Sequence, residues 1–205
     1  LITGFDPATG LFEQFAGYFQ LEEIDATAHR GCPTPIDVCL GAERIGRSKA
    51  IKQADVVALS ALLWDKWQVS VHEANFRYYE PRTAHGSSLS PAVHALVAAR
   101  LGDLTRAQAH FRQAAQIDLA NNLGNAAGGV HMGALGGLWQ AVVLGAAGLQ
   151  LREDGIAVDP HLLPDWSVLA FPLQWRGRLL RLRFEADPRR IEVAVEKGDE
   201  LTVAV

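Results

Sequence analysis

Residues 54 to 67, ADVVALSALLWDKW, lack glycine and proline and are apolar on almost every face. That pattern predicts a helix buried between neighbours rather than one lying on a surface. A second helix start follows at Ser90-Pro91, where serine can accept an orphan amide hydrogen bond and proline is tolerated at the first helical position. This helix runs through AVHALVAARL to about Leu101, and Gly102 and Asp103 punctuate it. Asp103 is placed to cap the next helix, LTRAQAHFRQAAQIDL, in which Ala107, Phe111, Ala114 and Ala115 form an apolar stripe. After the loop NNLGNAAGG a long apolar helix begins at about Val130.

The flanks read differently. Residues 1 to 50 show weak periodicity and many turn formers, so irregular or short structure is expected. Their Leu11, Phe12, Phe15, Tyr18 and Phe19 are expected in a core or lining loop. From residue 151 the chain becomes turn-rich, with short apolar runs. VLAFPLQW and RLLRLRFE read as strands meeting at Arg176-Gly177, and IEVAV and LTVAV, separated by EKGDE, read as a second hairpin. Alternation in RLLRLRF predicts a sheet wet on one face. The fold class is therefore mainly α with a small antiparallel β-sheet domain, divided into 1–150 and 151–205. The helical pattern alone does not choose between a toroid and a simple bundle.

Composition narrows the function classes. The 205 residues are 49% hydrophobic, ample for a sizeable core, and carry a formal charge of -4 with no lysine- or arginine-rich block. No nucleic-acid backbone or anionic membrane is suggested as a partner. Residues 132 to 149 are about long enough for a marginal membrane span, but five glycines and Gln140 favour a helix surrounded by protein. Cys32 and Cys39 fit either one disulfide or two ordinary thiols, and their spacing matches neither a redox CxxC nor a full metal-ligand set. No signal peptide is evident, and the first residue is Leu1, so the chain reads as beginning inside a larger protein.

Three stretches carry candidate chemistry. Lys52 and Gln53, at the entrance of the first buried helix, can hydrogen-bond the hydroxyls of a polar substrate, or simply reach solvent and cap backbone. In YYEPRTAHGSSLSP, Ser87 and Ser88 each offer a hydroxyl donor and Arg82 a two-donor fork for an oxyanion. Here Glu80 can orient Arg82 or act on water, His85 is a donor or a structural residue, and Ser90 reads as a helix cap. The stretch lacks the G-x-S-x-G of a serine nucleophile elbow. In GGVHMG, His131 opens the long helix, where unpaired amides favour an anion. His85 and His131 are not spaced as a metal motif, and without a local carboxylate cluster no metal is expected.

Together IKQAD, YYEPRTAHGSSLSP and GGVHMGALGGLWQA resemble glycoside hydrolase family 65, the maltose, trehalose and kojibiose phosphorylases and their relatives. The resemblance runs from DPATGLFEQFAGYF through FPLQWRGRLLRLRF. It implies the C-terminal part of an (α/α)6 barrel followed by a small β-sheet domain. It also implies that Lys52 and Gln53 hold a glucosyl unit and that Ser87, Ser88 and His131 bind phosphate, with Glu80, Arg82 and His85 in possible support. The implied parent activity is inverting phosphorolysis of an α-linked glucose disaccharide to β-glucose 1-phosphate, with inorganic phosphate as co-substrate and no cofactor. A cytoplasmic homodimer is implied. The family's catalytic glutamate block has no equivalent here, so the isolated chain is expected to be inactive. Hydrolysis by the same architecture and a non-catalytic sugar-binding fragment are the alternative readings.

Overall fold

In a computed structural model, residues 4–29 and 36–205 are described. A short hairpin, β1 (Phe5–Asp6) and β2 (Leu11–Phe12), precedes the helices α1 (Ile36–Gly46), α2 (Asp55–Leu62), α3 (Val69–Tyr79), α4 (Ser90–Arg100), α5 (Leu104–Leu119) and α6 (Met132–Gln140). A π-helical segment, Ala141–Ala146, continues α6. The strands β3 (Gln150–Leu151), β4 (Gly155–Ala157), β5 (Val168–Trp175), β6 (Arg178–Glu185), β7 (Arg190–Lys197) and β8 (Thr202–Ala204) follow. The molecule is thus a mainly helical region followed by a β-sheet region.

Helix α4 is the hub of the helical core. Ala92, Val97 and Ala98 are fully buried, and its small side chains let neighbours approach closely. A Cβ at Gly133 would lie 2.8 Å from Leu89 Cδ2, one at Gly137 2.8 Å from Ala92 Cβ, and one at Gly145 2.9 Å from Leu96 Cα. The numbers rise together along both helices, so α4 and α6 with its π continuation run parallel and start at the same end. Asp103 caps α5 by accepting from the Arg106 amide at 3.1 Å, as the sequence predicts. Ser90 does not cap α4. Its hydroxyl donates instead to the Ser87 carbonyl (3.1 Å) and lies 3.0 Å from His85 Nδ1, tying the preceding loop together.

Helices α1 and α3 fall where the sequence shows no clear period. Helix α1 is mostly exposed and broken at Gly41 (φ 74°). Helix α3 buries polar groups, His72 and Asn75, beside Phe76 and Tyr79, which hides its apolar face from a hydropathy reading. Asn75 binds both the Phe12 amide (2.8 Å) and the Gly10 carbonyl (2.8 Å), anchoring the first hairpin. Phe12, Tyr18 and Tyr79 are buried together, so the early aromatics form core, with Phe15 left half-exposed. Helix α6 buries Ala134 but leaves Met132 72% and Trp139 56% exposed, whereas its π continuation is largely buried. Cys39 is exposed on α1, and Cys32 lies outside the described residues. Among the described residues no helix is long and apolar enough to cross a membrane.

In the sheet region β5, β6 and β7 form an antiparallel meander, and Arg176 (φ 47°) and Gly177 (φ 78°) make its first turn as predicted. Leu180, Leu182 and Phe184 of β6 are fully buried and pack with Val143, Ala147 and Leu149 at the end of the last helix. Each such side chain contributes about 1.5–3 kcal/mol. The expected second hairpin does not form. Strand β8 leaves β7 and pairs in parallel with β4, Ile156 opposite Val203. Gly155 permits this approach, since a Cβ there would stand 2.1 Å from the Thr202 carbonyl oxygen. Ile156 is thereby buried in the shared core, whereas β7 turns mostly exposed residues outward.

Gly145→Ala should lower stability by about 1–3 kcal/mol in urea or thermal unfolding, because the new methyl meets Leu96 backbone. Helix propensity alone favours the alanine by about 1 kcal/mol, so a gain in stability would contradict the close packing.

Candidate functional site

The first two candidate stretches are joined by backbone. Ile51 and Thr83 form a parallel bridge, with the Ile51 amide donating to the Arg82 carbonyl (2.8 Å) and the Ala84 amide to the Ile51 carbonyl (2.9 Å). Lys52 emerges from this bridge and lays its side chain along Gly86; a Cβ at Gly86 would stand 3.4 Å from Lys52 Cγ. Lys52 and Gln53 are exposed, and Ser87 and Ser88 are half-buried just before α4. The Ser87 hydroxyl accepts from the Leu89 amide at 3.3 Å, and its proton remains for another acceptor.

The third stretch arrives through the parallel packing of α4 and α6. Gly133 sits against Leu89, so the α6 start at His131 lies beside the α4 start at Ser87–Leu89. Two helix N-termini then face one end of the molecule, each favouring negative charge. Asp118, in the last turn of α5, holds His131 twice: the His131 amide donates to Oδ2 (2.9 Å) and Nδ1 lies 2.5 Å from Oδ1. The side-chain bond from His131, then its backbone bond, hold the Asp118 carboxyl below the usual carboxylate range. The sequence reading missed Asp118. Its one visible signal is a carboxylate at a helix C-terminus, where the dipole disfavours it.

The remaining candidates lie behind this end. Arg82 donates to Glu23 (2.7 Å) and to the Tyr78 carbonyl, and its guanidinium stacks 3.8 Å from the Tyr78 ring centroid. Burial alone would raise the Glu23 carboxyl, but the bonds from Arg82 and Lys49 outweigh it and hold the group low. Glu80 is buried, 3.6 Å from His110 Nε2. His85, in a left-handed conformation (φ 54°), meets His94 and His110 at ring-centroid distances of 4.6 and 4.8 Å. These three rings and Glu80 form a buried polar group inside the helical core, while Ser87, Ser88 and His131 stay accessible. Of two clefts, one lined by Trp175 and Arg176 lies in the sheet region, and one lined by Glu73 and Arg106 reaches Glu80 and Pro81 of the second stretch but none of Lys52, Ser87, Ser88 and His131. Among the described residues no group of three or more His, Cys, Asp or Glu is arranged to hold a metal ion.

Residues 1–140 match the glycosyl hydrolase family 65 central catalytic domain, and residues 149–205 match that family's C-terminal domain. The chain belongs to glycosyl hydrolase family 65. It is 37% identical over 196 residues to the kojibiose phosphorylase of Halothermothrix orenii, covering 96% of this chain and 25% of that protein. It is 38% identical over 157 residues to the alpha,alpha-trehalose phosphorylase of Geobacillus stearothermophilus, covering 77% of this chain and 20% of that one. A solved structure from the human microbiome superposes with a TM-score of 0.90 at 28% identity, covering 99% of this chain and 28% of the other. The chain spans about a quarter of the length of the curated relatives it matches.

The Asp118 bonds have a pH signature. A carboxyl held low in the folded state contributes stability that is present above its ordinary value of about 3.9 and lost as pH falls through the lower folded value. Asp118→Asn should therefore flatten the acid limb of the stability curve, measured by thermal unfolding from neutral to strongly acid pH. An unchanged limb would show that the pair is not formed in solution.

Proposed function

We propose that this chain is the C-terminal portion of an inverting phosphorylase that cleaves an α-linked glucose disaccharide with inorganic phosphate, releasing β-glucose 1-phosphate. Residues 1–150 form the end of its barrel and 151–205 its C-terminal sheet domain. In this reading the exposed face of α6, with Met132 and Trp139, packs against the earlier barrel helices. The observation that carries it is the packing of Gly133, two residues past His131, on Leu89, next to Ser88, which sets the starts of α4 and α6 side by side. Two hydroxyl donors, an imidazole and two helix N-termini suit a phosphate oxyanion. Lys52, beside Gly86, and Gln53 hold the glucosyl unit.

Phosphate brings its own nucleophilic oxygen, so this half of the site needs no base. An inverting hydrolase instead needs a carboxylate poised over water. Both Asp118 oxygens are engaged by His131 and Glu80 is buried against His110, which favours phosphate over water. The names of the relatives support the same choice: kojibiose, maltose, trehalose and glucosylglycerol phosphorylases all appear. The general acid is a glutamate outside these residues, it protonates the departing sugar oxygen, and it must keep its proton near working pH. The complete enzyme is a cytoplasmic homodimer acting on small sugars, and Glu80, Arg82 and His85 support the phosphate loop from behind.

The complete enzyme, assayed with kojibiose, trehalose, maltose and nigerose, should release β-glucose 1-phosphate only when phosphate is present. Ser87→Ala and Ser88→Ala should each raise KM for phosphate roughly 10- to 100-fold, the loss of one hydrogen bond to a charged group. Equal release of free glucose without phosphate would assign a hydrolase instead.

A further inference from the structure

We infer that Asp118 is a positioning residue for the phosphate-binding histidine, fixing the ring of His131 through Nδ1 so that Nε2 is the nitrogen presented to the anion. The inference rests on the proposed phosphate role of His131. Its own basis is the two-point grip at 2.9 and 2.5 Å, which fixes both the backbone and the ring of His131 from one carboxylate. The His131 and Asp118 side chains are 21% and 15% exposed, so the pair is largely shielded yet open on one side. Oδ1 is the acceptor, so Nδ1 carries a proton. Nε2 has no hydrogen bond among the described residues and is left for a ligand.

The placement of Asp118 is otherwise unfavourable. A carboxylate in the last turn of α5 opposes the helix dipole, and the neighbouring helix starts favour an anion of their own. Asp118 binds the amide and the ring of His131, so the carboxylate acts on the ring rather than on the anion. With Nδ1 committed to Asp118, Nε2 is the ring atom that shares a proton with a phosphate oxygen. The same arrangement denies Asp118 the role of base toward water, because both its oxygens are already acceptors from His131.

The test is a double-mutant cycle in the complete enzyme, reading KM for phosphate and KM for the disaccharide separately. Asp118→Asn keeps an acceptor for the His131 amide but loses the charge, and should raise KM for phosphate roughly 10-fold or more. KM for the disaccharide should change less than about twofold. In a His131→Ala background, Asp118→Asn should add less than about twofold, since it acts only through the ring. Asp118→Glu, which keeps the charge, should recover part of the loss and serves if the asparagine variant fails to fold. Additive losses, or equal losses in both KM values, would overturn the positioning role while leaving the phosphate site intact. If His131→Ala itself leaves KM for phosphate unchanged, the phosphate role of His131 fails, and the inference with it.

Discussion

The close parallel approach of α4 and α6 is the constraint on which the candidate site depends. Gly137 meets Ala92 and Gly145 meets the Leu96 backbone at distances that leave no room for a side chain. Glycine is costly inside a helix, by about 1 kcal/mol relative to alanine, and α6 carries it repeatedly. The return is positional. With the two helices in contact along their length, their first turns are neighbours, and Ser87, Ser88 and His131 share one end of the molecule. A wider separation would leave the same residues on the same helices but part their first turns.

Around that axis polar contacts do the orienting. The Ile51–Thr83 bridge delivers Lys52 to Gly86. The Ser90 hydroxyl links His85 to the Ser87 carbonyl and so shapes the loop from which Ser87 and Ser88 rise. Asp118 performs the corresponding task for His131. Each support is itself a polar group with a partner, as burial or partial burial requires. Arg100 plays a similar part at the far end of α4, donating to the Leu144 carbonyl (2.8 Å) where the π-helical turn exposes acceptors. Burial there lowers its guanidinium to about 10, still cationic at neutral pH.

The sheet region completes the helical one through a shared core. Val143, Ala147 and Leu149 pack with Leu180, Leu182 and Phe184, so the last helical turns have apolar neighbours even though most of α6 is exposed. That core also explains why β8 crosses to β4. Pairing there buries Ile156, which a simple hairpin with β7 would leave without this partner.

The sequence by itself determined helices α2, α4, α5 and α6, the capped start of α5, the tight turn at Arg176-Gly177 and the three stretches that carry candidate chemistry. These are written locally, in apolar periodicity, in capping residues and in turn formers. Helix α3 escaped that reading because its buried face carries His72 and Asn75, whose cost is met largely by partners in other segments. Tertiary structure alone decided that Glu80 faces His110 inside the core and Arg82 faces Glu23, whereas Ser87, Ser88 and His131 stay accessible. It alone brought Asp118 to His131, 13 residues away. The physical reason is that a polar side chain takes its role from the partner it meets, and these partners are set by how helices pack rather than by their spacing along the chain.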